Sequence, residues 1–166
     1  IRKVMKLPLA FQVDEKYHYS NIGYQTFFVS PLAVEMLNNL GFDATRLGEV
    51  KSNIKNLEPV LRNTDFLSFD LSSISNVFSN ANKYSSANGL NGEEVCKIFR
   101  YAGLSDKLSS LIICEYNQLL DKSGLTSQLI SQMIWYFIDG YKSRRNELNP
   151  NIKNCIEYTV TFEYGK

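Results

Sequence analysis

Residues 108–115 read LSSLIICE, and their apolar run, Leu111 to Cys114, is continuous rather than alternating. A continuous run of this length suits a strand covered on both faces, as in a parallel sheet. Upstream, residues 65–71 read DFLSFDL, a second strand of the buried type. Between the two, Glu93, Glu94, Val95, Ile98, Phe99 and Ala102 fall at helical spacing, with both acids at the positive end of the helix and Gly103 closing it. Strand, helix, strand is the pattern of α/β layers. Asp70 and Glu115 stand at the ends of the two strands. In open parallel sheets, ligands bind beyond the carboxyl ends of the strands, so a reactive site is expected around these two acids.

Toward the N-terminus, residues 21–29, NIGYQTFFV, are β-branched and aromatic and suit another strand. Ser30-Pro31 reads as an N-cap followed by proline at the first helical position, and Val34, Met36, Leu37 and Leu40 continue as a short amphipathic helix that Gly41 ends. Val50, Ile54 and Leu57 predict a second helix over about 47–57, with Pro59 ending or kinking it. The Ser/Asn-rich stretch 72–91 has few apolar anchors and reads as a long loop, of a kind that is usually functional or mobile. Residues 126–141 predict the longest helix, with Leu129, Met133, Ile134, Phe137 and Ile138 inward. Residues 155–164 alternate Ile156, Tyr158, Val160, Phe162 and Tyr164, the period of a half-buried strand. No internal repeat is visible. The whole order predicts α/β layers around a mainly parallel sheet.

Composition narrows the function classes. The 166 residues, 44% hydrophobic and 21% charged, suffice for one α/β domain with a real core. A net charge of +1 argues against strong attraction to nucleic acid or to an anionic membrane. The one dense basic cluster, Lys142, Arg144 and Arg145, reads as a solvated helix end that favours the macrodipole. Cys96, Cys114 and Cys155 form no CxxC pair and His18 is the one histidine, so a zinc site is not expected; buried thiols in a reducing, cytoplasmic setting are. No stretch reaches the ~20 apolar residues that span a bilayer, and none reads as a signal peptide. The chain opens on Ile1, with no start or cap signal over residues 2–9, and is expected to be a piece of something longer.

Among the residues that could carry chemistry, Asp70 nearly completes an apolar strand. A buried carboxylate there would cost several kcal/mol unless paired, hydrogen-bonded or metal-bound. It reads either as a cap acid accepting backbone N–H bonds or as a ligand. Glu115 reads either as a strand-end acid meeting solvent or as a carboxylate that receives a cationic group. His18, among Lys16, Tyr17 and Tyr19, reads as a surface histidine, Asp121 as a turn acid at the approach to the long helix, and Trp135, Tyr136 and Phe137 as core and subunit surface. No glycine-rich phosphate loop of the GxGxxG or GxxxxGK type occurs, which weakens a nucleotide-binding reading.

Several strings resemble one family in that family's own order. SFDLSSI at 68–74 resembles the strand of arginase-type ureohydrolases that ends in an acidic metal-binding motif, GLNGEEV at 89–95 the start of the following helix, and ICEYNQLLD at 113–121 the next strand, whose glutamate faces the substrate. With NIGYQTFF at 21–28, RLGEV at 46–50 and QLISQMIWYFIDGYKSRRNE at 128–147, the resemblance is closest to the bacterial formimidoylglutamase-like branch and covers nearly all of residues 20–147.

The resemblance implies a three-layer α/β/α fold with a mainly parallel central sheet, residues 1–166 being a single α/β domain that forms the C-terminal part of a longer ureohydrolase-type one. It implies a dimetal site, usually manganese, whose bridging hydroxide attacks the carbon of a guanidinium or amidine. Asp70 matches the first aspartate of the strand motif, a metal ligand, and Glu115 the substrate-facing glutamate. The second acid falls on Ser72 and a third on Ser75, and nothing matches the earlier GGxH and DAHxD ligand motifs. A neutral hydroxyl supplies no charge to balance two divalent ions. The expected function is therefore metal-dependent hydrolysis of a C–N bond in a linear amidine or guanidine, formimidoylglutamate or arginine-like. The isolated chain is expected to be inactive, with symmetric oligomers in view; the alternative is a non-catalytic scaffold of the same fold that has weakened its metal site.

Overall fold

The computed structural model describes residues 18–145. The strand expected at 155–164, Cys155 and the opening segment lie outside them. The described elements run β1 (Ser20–Tyr24), α1 (Pro31–Asn39), β2 (Asp43–Arg46), α2 (Leu47–Ser52), α3 (Leu57–Arg62), β3 (Phe66–Asp70), α4 (Gly92–Gly103), β4 (Ser110–Cys114) and α5 (Leu125–Lys142), with single 3-10 turns at 54–56, 71–73 and 118–120. This is the alternating α/β order expected, and both strand pairs are parallel. Among the described residues the strands form two pairs, β1–β2 and β3–β4, rather than one continuous ladder.

β3 and β4 align Phe66 with Ser110 through Asp70 with Cys114 without a break. Their inner face, with Phe69 buried and Leu67, Leu111 and Ile113 partly so, packs into one core with Leu47, Val50, Leu57, Leu61, Val95, Ile98, Phe99, Leu129 and Met133. Phe69 meets Phe99 edge to face at 5.1 Å between ring centres. The opposite face leaves Phe66 and Ile112 exposed.

α4 starts on a capping box. The Asn91 side chain accepts from the Glu94 N–H at 2.8 Å, and the Glu94 carboxylate accepts from the Asn91 N–H at 2.8 Å. Gly103 does not sit beyond the helix as a stop; it is the last helical residue, and Leu104 caps it. Its role is contact: a Cβ at Gly103 would lie 2.2 Å from the Phe137 carbonyl oxygen, and one at Gly140 would lie 2.2 Å from that of Arg100. Two missing side chains let the backbones of α4 and α5 touch. The Arg100–Asp139 ion pair (2.9 Å) and the Arg144 Nε hydrogen bond to the Gly103 carbonyl (2.9 Å) close the crossing. Arg144, whose guanidinium also lies over the Tyr141 ring, is thus engaged and not a free member of a solvated basic end.

Four other expectations shift. β1 stops at Tyr24, because residues 25–28 close a turn (Phe28 N–H to Gln25 carbonyl, 2.9 Å) that leaves Phe27 and Phe28 exposed. β2, DATR, carries one β-favouring residue and gives no strand signal of its own; pairing with β1 makes it one. The helix expected over 47–57 ends at Ser52, and Pro59 stands inside the first turn of a new helix, where its missing N–H costs nothing. In α5, Leu129 and Met133 are buried and Phe137 partly so, but Ile134 and Ile138 are exposed, as is Trp135.

Candidate functional site at the carboxyl rim

The stretch after β3 is a pinned excursion rather than a loose loop. Leu71, Ile74, Ala81 and Leu90 are buried within it. Ser75 N–H donates to the Leu90 carbonyl (2.9 Å), Leu90 N–H to the Ser73 carbonyl (2.9 Å) and Asn76 N–H to the Ser86 carbonyl (2.7 Å). The Ala81 N–H reaches Thr126 Oγ1 on α5 (3.1 Å), and the Asn117 N–H reaches the Ala81 carbonyl (2.8 Å). Gly89 makes the close return possible, since a Cβ there would stand 2.3 Å from the Ser75 nitrogen.

Asp70 closes β3 and caps the 3-10 turn that follows. Its Oδ1 accepts from the Ser72 N–H at 2.8 Å, and its carbonyl accepts from Ser73 Oγ at 2.7 Å. The cap-acid reading of Asp70 is therefore met, and one oxygen is committed to it. Ser72 is half-buried, and the Ser75 hydroxyl donates to the Ala87 carbonyl at 2.8 Å. Glu115 directly follows Cys114, which is in register with Asp70, so the two acids occupy the same rim of two adjacent parallel strands. Both are exposed. Glu115 has φ of 67°, the only positive φ of a non-glycine among the described residues. That region is unfavourable for an L residue with a Cβ, and non-glycine residues held there cluster at functional positions.

Beyond Glu115 the chain is built around Asp121. Its carboxylate accepts from the backbone N–H groups of Thr126 (3.1 Å) and Ser127 (2.8 Å) at the start of α5 and from the Tyr116 hydroxyl (3.1 Å). Lost solvation raises its pKa, but the bonds from Ser127, Thr126 and Tyr116 outweigh that and hold the carboxyl below its ordinary value. Lost solvation, with the Asp121 bond and charge added, raises the Tyr116 hydroxyl. Asp121 is thus a helix-start acid, as its sequence position suggested.

Away from the rim, His18 is exposed but not alone: its Nε2 lies 2.7 Å from Asp43. Cys96 is buried, as expected, and burial pushes its thiol up, away from reactivity. Cys114 is half-buried, its sulfur 3.8 Å from Ser68 Oγ.

Among the described residues no three His, Cys, Asp or Glu side chains come together in a way that could hold an ion. At the rim Asp70 is the one carboxylate at a motif position, Ser72 and Ser75 are neutral, and Ser75 is already bonded. These residues by themselves do not fit a dimetal centre.

A cleft opens among the segments that follow β1, β2 and β3. Its volume is about 580 Å³, and its walls come from the turn after β1 (Tyr24 to Phe27), from Arg46 and Lys51 at the end of β2 and in α2, and from Ser75, Phe78 and Asn88 in the excursion after β3. The chain segments leaving β1, β2 and β3 thus converge on one depression, which sequence reasoning did not single out. RLGEV at 46–50 was the available signal, since its arginine stands at a strand end.

Two parallel strand pairs with helices between them make an α/β arrangement. Its arginase-type form, here in part, is shown by the likeness to solved structures. Formiminoglutamase from Trypanosoma cruzi matches with TM-score 0.68 at 20% identity, over 74% of this chain and 44% of that one. Formimidoylglutamase from Bacillus subtilis matches with TM-score 0.66 at 18% identity, over 75% and 41%, and arginase from Bacillus cereus with TM-score 0.61 at 18% identity, over 70% and 42%. At identities this low, the structural match shows the fold alone. The matched region spans less than half the length of these neighbours. The Trypanosoma cruzi enzyme has also been solved with Mn2+. No family model and no curated protein sequence matches the chain. No helix among the described residues is long and apolar enough to cross a membrane.

Proposed function

We propose that the chain is the substrate-recognising part of a hydrolase of the arginase superfamily that cleaves a C–N bond in a linear amidine or guanidine, of the formimidoylglutamate or arginine-like class, in the cytoplasm. The carrying observation is Glu115: an exposed acid held at positive φ on the rim that adjoins Asp70, where a parallel sheet offers its ligand site. A carboxylate so placed receives the planar, two-toothed N–H edge of an amidinium or guanidinium. Asp70 keeps one carboxylate oxygen clear of its cap bond and is the single acid here that would contribute to metal binding. Manganese, as in the Trypanosoma cruzi neighbour, would have to be held mainly by other groups.

The experiment is titration of the purified chain with agmatine, followed by NMR or calorimetry. Binding should weaken about tenfold or more in Glu115→Gln, the scale of a lost charge-assisted pair. Equal affinity in the two proteins contradicts the reading. With manganese added, the chain alone should release no product from amidine or guanidine substrates; measurable turnover would overturn the view that its metal ligation is incomplete. A second reading, a non-catalytic scaffold of the same fold, draws on Ser72 and Ser75 at the motif positions. It predicts no agmatine binding at all.

A further inference from the structure

α1 is apolar on two sides. It packs against β2, with Leu37 buried at 2% exposure and Ala33 and Val34 half-buried. Met36 and Leu40, which the sequence groups with Val34 and Leu37, fall elsewhere. Met36 is 65% exposed and, with Leu32 at 69% and Leu40 at 46%, forms a second column at spacing i, i+4, i+8. Phe27 and Phe28, both exposed and with ring centres 4.4 Å apart, directly precede the helix. Glu35 is the one charged residue in α1.

A helix that is apolar on both sides is normally covered on both. The five exposed side chains present about 600 Å² of apolar surface, the upper end of what a monomer carries in its largest such patch. Two such patches face to face bury about 1,200 Å², which reaches the range of specific interfaces. Charge narrows the occupant. With no cation and a single acid, the column of α1 offers little to a charged partner; what fits it is another apolar ridge of the same spacing. The α1 of a second copy is such a ridge. Turned antiparallel about a twofold axis, the two i±4 rows interdigitate, Met36 lies beside its own copy, Leu32 beside Leu40, and the helix dipoles oppose.

We propose that two copies of this chain associate through Phe27, Phe28, Leu32, Met36 and Leu40 into a twofold dimer with Met36 at its axis. The dimer stands apart from the assignment of Glu115 and does not depend on it. Phe27 also lines the cleft beyond β1, so interface and cleft share a residue.

Sedimentation velocity of the full chain, run from low to high micromolar concentration, should show a monomer–dimer equilibrium. Met36→Glu sets two like charges together at the axis and should weaken association about a hundredfold; Leu32→Lys, farther out, should weaken it about tenfold. Both residues are exposed within one copy, so the thermal midpoint of each variant, read by circular dichroism where wild type is monomeric, should stay close to that of wild type. Trp135→Lys, on the exposed side of α5, should leave the dimer intact. A wild type that stays monomeric throughout overturns the proposal, and so does a dimer that survives both α1 variants. If wild type is monomeric and both α1 variants lose stability, another part of the same chain covers the column. If Trp135→Lys dissociates the dimer and Met36→Glu does not, the interface lies on α5; either result contradicts pairing through α1.

Discussion

The α4–α5 crossing and the carboxyl rim of β3 and β4 stand in contrast. At the crossing, Gly103 and Gly140 bring two helix backbones together, Phe99 is fully buried, and an ion pair and a carbonyl hydrogen bond close the edge. At the rim, two exposed acids face outward, and one of them holds a backbone conformation that its Cβ resists. One region spends its sequence on stability; the other keeps charge exposed and accepts local strain. Non-glycine residues held in this conformation cluster at functional positions.

The largest break in this contrast should come from Gly103→Val. Its Cβ would meet backbone on the facing helix, so α4 and α5 must separate, and stability should fall by about 3 kcal/mol. A urea denaturation midpoint close to wild type would show that the helices do not cross so closely.

Glu115→Gly should act in the opposite direction. Relief of the left-handed conformation should raise stability by about 1 kcal/mol, less what glycine's freer unfolded chain takes back. The same change should weaken agmatine binding. A destabilised variant would mean that the Glu115 side chain supports the fold rather than a ligand.

The smallest effect concerns pH. The folded pKa of Asp121 lies below its unfolded value, so its contribution is present above the unfolded carboxyl pKa and is lost as pH falls through the folded one. Stability should therefore decline on the acid side, below about pH 4, and Asp121→Asn should flatten that decline. An unchanged acid limb in the variant would remove Asp121 as the cause.

Much of this was legible beforehand. Continuous apolar runs located β3 and β4, and helical spacing located α4 and α5, because burial writes a period into the sequence. The acids at Asp70 and Glu115 could be placed at a rim by their position after those runs. β2 could not be read, since DATR becomes a strand only by pairing with β1. Nor could the pinning of residues 72–91, whose small polar side chains bond to distant backbone. Gly103 looked like a helix stop because glycine often is one; its true constraint lies on another helix. The cleft with Arg46 and Gln25 is assembled from segments far apart in sequence, and no local pattern announces it.

The central claim is that this rim recognises a cationic carbon group but does not by itself hold a metal pair. Titration of the chain with Mn2+, read by electron paramagnetic resonance, addresses it directly. The account predicts at most one weakly held ion, lost in Asp70→Asn, and no coupled-pair spectrum. Two tightly bound, spin-coupled manganese ions would contradict it.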